Sequence, residues 1–108
     1  MYDNTNIFAK IIRKEIPCKI VYEDETVMAF HDINPRASIH VLVIPKIESE
    51  TFTDFTTNNR DEMLANFFKK VNNIACDILK LPSFRLQINN GANSGQEVFH
   101  FHVHILSS

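Results

Sequence analysis

The residues best suited to chemistry lie near the end of this chain, where histidines alternate with apolar residues from Phe99 to Leu106. Strict alternation predicts a β-strand, because successive side chains on a strand point to opposite faces. His100, His102 and His104 would then line one face, and the apolar residues between them would line the other. Three imidazoles that titrate near neutral pH indicate a functional face, since simple solvation does not require them.

Three kinds of chemistry use a face of imidazoles: metal binding, nucleophilic attack on phosphorus, and binding of an anion. The preceding loop, residues 90–97, contains the only two glycines of the chain, and glycine lets backbone N–H groups turn toward an anion. A metal site would usually recruit a nearby carboxylate or cysteine, and Glu97 is the only close candidate. Phosphate chemistry uses more of what is present, including amide side chains at Asn89, Asn93 and Gln96. The residues therefore favour phosphate chemistry without excluding a metal.

The elements that must position these histidines follow from hydrophobic periodicity. A short helix is predicted over 7–14, ending before Pro17, and a long helix is predicted from the N-cap Asn59 to Ile78. The polar stretch between Glu48 and Asn59 is predicted to be a loop. Four further segments read as strands: Cys18–Glu23, Val27–Asp32, Ile39–Pro45 and Phe84–Asn89. Five strands and two helices predict a single α+β domain spanning residues 1–108.

Composition narrows the function classes. The chain has 108 residues and a net charge of −2, which argues against broad electrostatic capture of nucleic acid or an anionic membrane. Cys18 and Cys76 have no metal-ligand spacing, which predicts free thiols in a reducing compartment. The first residues lack the basic and apolar regions of a signal peptide. We therefore expect a cytoplasmic protein with a small-molecule partner.

The segment His100–Leu106 resembles the histidine-triad signature, H-φ-H-φ-H-φ-φ, of the HIT superfamily. The preceding residues 95–99 are similar to the lead-in of bacterial Hint-like members. The resemblance extends over nearly the whole chain, with further matches at 6–8, 12, 15–17, 30–35 and 40–46. It implies a five-stranded antiparallel sheet with one short and one long helix, pairing into a homodimer with a ten-stranded sheet.

The resemblance also implies catalytic roles. His102 would be the nucleophile and would form a nucleotidyl-histidine intermediate, while His100 would hold it in place with His40 as a supporting member behind. His104 and Gln96 would contact the phosphate or assist the leaving group.

The same resemblance implies a set of nucleotide-binding residues. Asp32 would bind the ribose hydroxyls, Ile33 and Phe8 would form the base pocket, and Asn89 would lie near the phosphate. The remaining nucleotide-binding residues would be Gly95, Gln96, Glu97 and Val98.

The function implied is hydrolysis or transfer at the α-phosphorus of a purine nucleotide conjugate, with an amine, acyl or phosphate leaving group. One alternative is hydrolysis of dinucleoside polyphosphates, and another is a nucleotide-binding or interaction module with incidental turnover. A metal-binding protein is a third.

Three departures from the family pattern affect these expectations. Asn6 and Ala9 stand where zinc-carrying members have cysteines, so we expect neither a structural zinc nor another cofactor. Glu97 stands where Hint enzymes of animals carry a serine, which changes one phosphate contact. Many relatives continue beyond the position of Ser108 with a segment that shapes leaving-group preference.

Overall fold

The computed structural model describes residues 1–108 as one sheet flanked by helices. Helix α1 covers Ile7–Ile12, α2 covers Phe52–Asn58, and α3 covers Asp61–Asn73, continued by one π-helical turn at Ile74–Ile78. The strands are β1 (Ile20–Glu23), β2 (Val27–His31), β3 (Ile39–Pro45), β4 (Arg85–Gln87) and β5 (Val103–Ser107), and a 3₁₀ turn occupies Ala92–Ser94. No helix combines the length and the apolar character needed to span a membrane.

The sheet has the order β1-β2-β3-β5-β4, and every neighbouring pair is antiparallel. The predicted five-stranded antiparallel α+β fold is therefore confirmed. The last strand lies between β3 and β4, which places His104 in an interior strand of the sheet.

Alternation along the strands gives the sheet two apolar faces. One face packs against α2 and α3 around a cluster that includes Phe55, Phe67 and Phe101. The other face packs against α1 around a smaller cluster that includes Phe8, Phe30 and Leu42. Because Leu42 is the register partner of His104, that histidine points toward the α1 side of the sheet.

The histidine segment is shorter as a strand than the alternation predicts. Strand β5 begins at Val103, so His100 and His102 precede the sheet. The reason is an alternative partner: the Phe101 N–H donates to the Ser49 carbonyl at 2.7 Å and does not pair with a neighbouring strand. The alternation still holds, since Phe101 and Val103 reach the large core while His102 and His104 lie on the opposite side.

The polar stretch 48–59 contains a helix, so its prediction as a loop was wrong. Thr51 caps α2 by accepting the Asp54 N–H at its hydroxyl, 3.1 Å away, and Phe55 is fully buried against Phe101 at a ring-centroid distance of 4.8 Å. The Thr-rich sequence has weak helix propensity, and this tertiary packing stabilises the helix instead.

The predicted N-cap of the long helix was also wrong. Arg60 occupies the N-cap of α3, without a side-chain hydrogen bond. The Asn59 amide instead donates to the Phe55 carbonyl at 2.8 Å, so it satisfies the last turn of α2.

Candidate active site

His102 is held by the backbone that precedes it. Its Nδ1 lies 2.7 Å from the carbonyl oxygen of His100, and a carbonyl can only accept, so Nδ1 carries the proton. The other ring nitrogen, Nε2, therefore keeps a free lone pair. Phe8 of α1 packs edge-on against the ring, with centroids 4.9 Å apart. A neutral imidazole with its lone pair free and its orientation fixed is the form required of a nucleophile.

His100 holds His102 through its carbonyl, while its imidazole points elsewhere. That ring is fully buried and lies between the Pro45 carbonyl, 2.6 Å from Nε2, and the Tyr2 hydroxyl, 2.5 Å from Nδ1. The predicted role of His100 in holding His102 would therefore be carried out by its carbonyl group, and its imidazole would not contact a ligand.

His40 and His104 form a second pair on neighbouring strands. The Arg36 N–H donates to His40 Nδ1 at 3.1 Å, so the ring proton of His40 is on Nε2. That Nε2 lies 2.9 Å from His104 Nδ1, which must accept. The proton of His104 is consequently on Nε2. His40 thus supports His104, whereas the resemblance placed it behind His102.

Asp32, His40 and His104 bring one potential metal-ligand atom each within 4.8 Å of one another. A carboxylate and two imidazoles are a reasonable donor set for a transition metal. The hydrogen bonds oppose this use, because His40 Nε2 is protonated as long as the Arg36 N–H occupies Nδ1. Coordination would require the His40 ring to exchange tautomers and leave that amide unpaired. The cluster fits a hydrogen-bonded relay better than a metal centre.

A cavity of about 510 Å³ opens beside these histidines, between α1, the β2–β3 loop and the loop before β5. Nine of the twelve predicted site residues line it: Phe8, Asp32, Ile33, Asn89, Gly95, Glu97, Val98, His102 and His104. The three that do not are His40, His100 and Gln96. The fold thus brings to one cavity nine predicted residues that are separated by up to 96 positions in the sequence.

Gln96 has a use different from the predicted phosphate contact. Its side chain is buried; Oε1 accepts the Gly91 N–H at 2.8 Å, and Nε2 donates to the carbonyls of Glu50 and Val98 at 2.7 and 3.0 Å. The amide is fully occupied in bracing the loop and does not line the cavity, so a phosphate contact by Gln96 stays a prediction that would require these bonds to break.

The glycine loop uses half of its N–H groups internally, contrary to the expectation that they face an anion. The N–H groups of Ser94, Gly95 and Gln96 donate to carbonyls within the loop. Gly91 and Gly95 both have positive φ, near 98° and 94°, which explains why glycine is needed at these positions. Among residues 90–98, only Glu97 and Val98 combine a place on the cavity wall with backbone N–H groups that have no internal partner.

Burial keeps the four clustered histidines neutral. It lowers the pKa of both His100 and His104 to about 4, and it lowers the pKa of His102 and His40 as well. Nearby positive charge, including Arg36, acts on His104 in the same direction. All four rings therefore carry a single proton at pH 7, as the hydrogen bonds require.

Sequence reasoning missed two residues of this region. Arg36 is the one lysine or arginine lining the cavity, and its side chain makes no ion pair. Its place in the turn between Asp32 and His40 was an available signal. Tyr2 contacts His100 across 98 positions, and no sequence pattern signals that contact.

Fold and site together define an antiparallel α+β domain with a histidine cluster beside a cavity of about 510 Å³, the design of the histidine-triad proteins. The HIT domain model matches residues 13–108, and the chain belongs to the HIT family. An uncharacterized HIT-like protein of Rickettsia prowazekii is 45% identical over 107 residues, covering 98% of this chain and 89% of that protein.

Solved structures show the same fold. A HIT family hydrolase from Clostridium thermocellum superimposes with a TM-score of 0.88 at 40% identity, covering 98% of this chain and 92% of that one. A hypothetical histidine triad nucleotide-binding protein from Sulfolobus tokodaii gives a TM-score of 0.82 at 36% identity, covering 94% of this chain and 67% of that one. The fold is therefore that of HIT family hydrolases.

Proposed function

We propose that this protein hydrolyses, or transfers a group at, the α-phosphorus of purine nucleotide conjugates, through a covalent nucleotidyl intermediate on His102. The observation that carries the proposal is the 2.7 Å hydrogen bond from His102 Nδ1 to the His100 carbonyl, which leaves Nε2 unprotonated in a residue of the cavity wall. The hydrolase relatives support the reaction class.

The bond changes are as follows. His102 Nε2 donates its lone pair to phosphorus, the bond from phosphorus to the leaving group breaks, and the leaving group keeps that electron pair. His104 Nε2–H is the available proton donor and passes its proton to the leaving group as that bond breaks. His40 Nε2–H, 2.9 Å from His104 Nδ1, then hydrogen-bonds the ring that has lost its proton. Water then attacks phosphorus, the bond from phosphorus to His102 Nε2 breaks with its electron pair returning to the ring, and the nucleoside monophosphate leaves. The proton that the water loses restores His104 Nε2–H.

The nucleoside would be bound by Asp32 and by apolar residues at the cavity mouth. Asp32 uses Oδ1 to accept the Asn34 N–H at 2.7 Å, and its Oδ2 lies 3.4 Å from His40 Nε2 with the carboxylate still able to accept from a ribose hydroxyl. Ile33 is 83% exposed at the rim, which is unusual for a large apolar residue and suits a base-stacking surface opposite Phe8. The relative from Sulfolobus tokodaii is described as nucleotide-binding, which agrees with this assignment.

The phosphate would be bound by backbone N–H groups and by one cation. The free N–H groups of Glu97 and Val98 and the amide of Asn89 lie on the same wall. Arg36 provides the positive charge on the opposite loop. Preorganised donors of this kind stabilise the charge that develops on the phosphoryl oxygens.

The physiological form would be a cytoplasmic homodimer. Strand β4 ends the sheet, and Leu86 on it is 45% exposed, so antiparallel pairing of β4 with its twofold copy would bury this edge and give ten strands. Both cysteines are free thiols, in keeping with a reducing compartment.

The deciding experiment replaces the nucleophile. His102→Ala should lower the turnover of adenosine phosphoramidate by roughly three or more orders of magnitude, because a reaction step is removed. Nucleotide affinity should change by less than about tenfold, since the binding residues remain. His31→Ala, at an exposed histidine of the cavity rim, is the matched control and should retain turnover.

Rapid quenching of the wild type without acid, followed by mass spectrometry, should place a nucleotidyl adduct on His102. An active His102→Ala variant would refute the mechanism. Tight nucleotide binding with no turnover by the wild type would support the binding-module alternative. Faster turnover of dinucleoside polyphosphates than of phosphoramidates would favour that second substrate class.

A further inference from the structure

The side chain of Tyr2 lies directly behind the histidine cluster, outside the cavity. Its hydroxyl is 2.5 Å from His100 Nδ1, and its ring packs edge-on against the imidazole with centroids 5.6 Å apart. Because the Pro45 carbonyl fixes the His100 proton on Nε2, Nδ1 can only accept. The Tyr2 hydroxyl is therefore the donor, and the His100 ring is held at both nitrogens.

These two hydrogen bonds, which together clamp the His100 ring, act on a stretch of backbone that no strand pairing holds. Residues 98–102 lie outside the sheet, and the Phe101 N–H bond to Ser49 is their one bond to another part of the backbone. The peptide that orients His102 is that of His100. Fixing the His100 ring therefore fixes the carbonyl that receives the His102 proton.

The two clamping bonds differ in origin. Pro45 belongs to β3, which is part of the sheet, so its carbonyl is fixed by the fold. Tyr2 belongs to the segment before α1, and α1 places Phe8 against His102. One short N-terminal segment thus contacts both His100 and His102, from outside and from inside the cavity.

We propose that Tyr2 is a positioning residue of the triad: its hydroxyl orients the His100 imidazole and, through the His100 carbonyl, the nucleophile His102. This inference rests on the proposed function for its kinetic consequence only. Its structural part, the tautomer and orientation of His100, is independent of any reaction.

The test compares Tyr2→Phe with Tyr22→Phe. Both remove one hydroxyl, and Tyr22 is the only other tyrosine; its hydroxyl donates to Asp24 at 2.6 Å, away from the cavity. For Tyr2→Phe we expect kcat with adenosine phosphoramidate to fall about fivefold to tenfold, as for loss of one buried hydrogen bond, with KM changed by less than about twofold. Tyr22→Phe should leave both constants unchanged.

Nitrogen-15 NMR of the histidine rings gives the second readout. In the wild type, His100 should show a protonated Nε2 and a hydrogen-bonded, unprotonated Nδ1; in Tyr2→Phe the Nδ1 signal should shift toward that of a free acceptor. His102 should lose its single tautomer in the same variant. A merely stabilising contact would lower the unfolding temperature without changing the His102 tautomer.

The outcomes separate this inference from the proposed function. A wild-type His100 protonated on Nδ1, or a Tyr2→Phe variant with unchanged kcat and ring signals, overturns the role of Tyr2. A wild type without turnover overturns the proposed function, and the ring signals then decide the role of Tyr2 alone. If Tyr2→Phe fails to fold, the wild-type Nδ1 signal of His100 still decides it: a hydrogen-bonded acceptor supports the role of Tyr2, and a free acceptor overturns it.

Discussion

The imidazole of His102 donates its Nδ1–H to the carbonyl of His100, two residues earlier, at 2.7 Å. This bond determines the chemistry of the ring, because it commits Nδ1 to the backbone and leaves Nε2 with a free lone pair. The His40–His104 pair shows the complementary assignment, with the proton left on His104 Nε2. His102 can thus donate an electron pair to phosphorus, and His104 can supply a proton.

The proton-donor assignment predicts a dependence on the leaving group. His104→Ala should lower kcat by roughly 10²- to 10⁴-fold for an alkylamine leaving group, which must be protonated as it departs. The loss should be much smaller for an acidic phenol, which departs as an anion. Steady-state kinetics with a series of adenosine monophosphate esters and amides would measure this, and an equal loss across the series would contradict the assignment.

The lowered histidine pKa values predict that activity persists into mild acid. Attack requires neutral His102, and burial lowers its pKa below the ordinary value near 6.5. The rate should therefore remain level from pH 8 to about 6 and fall only at lower pH. A kcat/KM profile that already falls by half near pH 7 would contradict a buried, neutral nucleophile.

The same burial predicts a loss of stability in acid. His100 has a pKa of about 4 when folded and near 6.5 when unfolded, so the unfolded state binds the proton first as pH falls. Its contribution to the free energy of unfolding is complete above pH 6.5 and is lost between 6.5 and 4, by on the order of 3 kcal/mol. Urea denaturation at pH 7, 6 and 5 would measure this before the carboxylates titrate, and His100→Asn should flatten the dependence.

Dimer formation through β4 predicts a specific effect at Leu86. Leu86→Lys should convert the dimer to a monomer, because a buried lysine would face its twofold copy across the new strand pair. Ile20→Lys is the matched control, since Ile20 is a similarly exposed residue of β1, at the opposite edge of the sheet. Light scattering at micromolar concentration would distinguish the two, and a monomeric wild type would contradict the proposal.

The hydrogen-bonded relay predicts activity without a metal. Turnover should be unchanged after dialysis against a chelator, and elemental analysis should find no stoichiometric zinc. Added zinc should bind weakly, because coordination by His40 would displace the Arg36 N–H from the ring. Activity lost on chelation and restored by zinc would show that Asp32, His40 and His104 hold a catalytic ion.

Local sequence patterns predicted those strands and helices whose own hydrophobic periodicity determines which face is buried. Strand β3 has the predicted bounds, Ile39–Pro45, because a continuous apolar run is compatible with burial on both faces. Helix α2 was not predictable in this way, since Thr-rich residues form it only when Phe55 packs against Phe67 and Phe101. The start of β5 was likewise decided by the distant carbonyl of Ser49, which takes the Phe101 N–H.

The site, like the fold, has some features that the sequence predicts and others that depend on tertiary packing. The order of residues by itself determined that His102 and His104 share a face beside a glycine loop, because a two-residue period is a property of the sequence. The resemblance to a family signature then added Asp32 and Phe8 as expected binding residues. Only the tertiary structure decided which nitrogen of each ring carries the proton. That choice depends on single acceptors and donors, the carbonyls of His100 and Pro45, the Arg36 N–H and the Tyr2 hydroxyl, and their positions are fixed only when distant segments pack together.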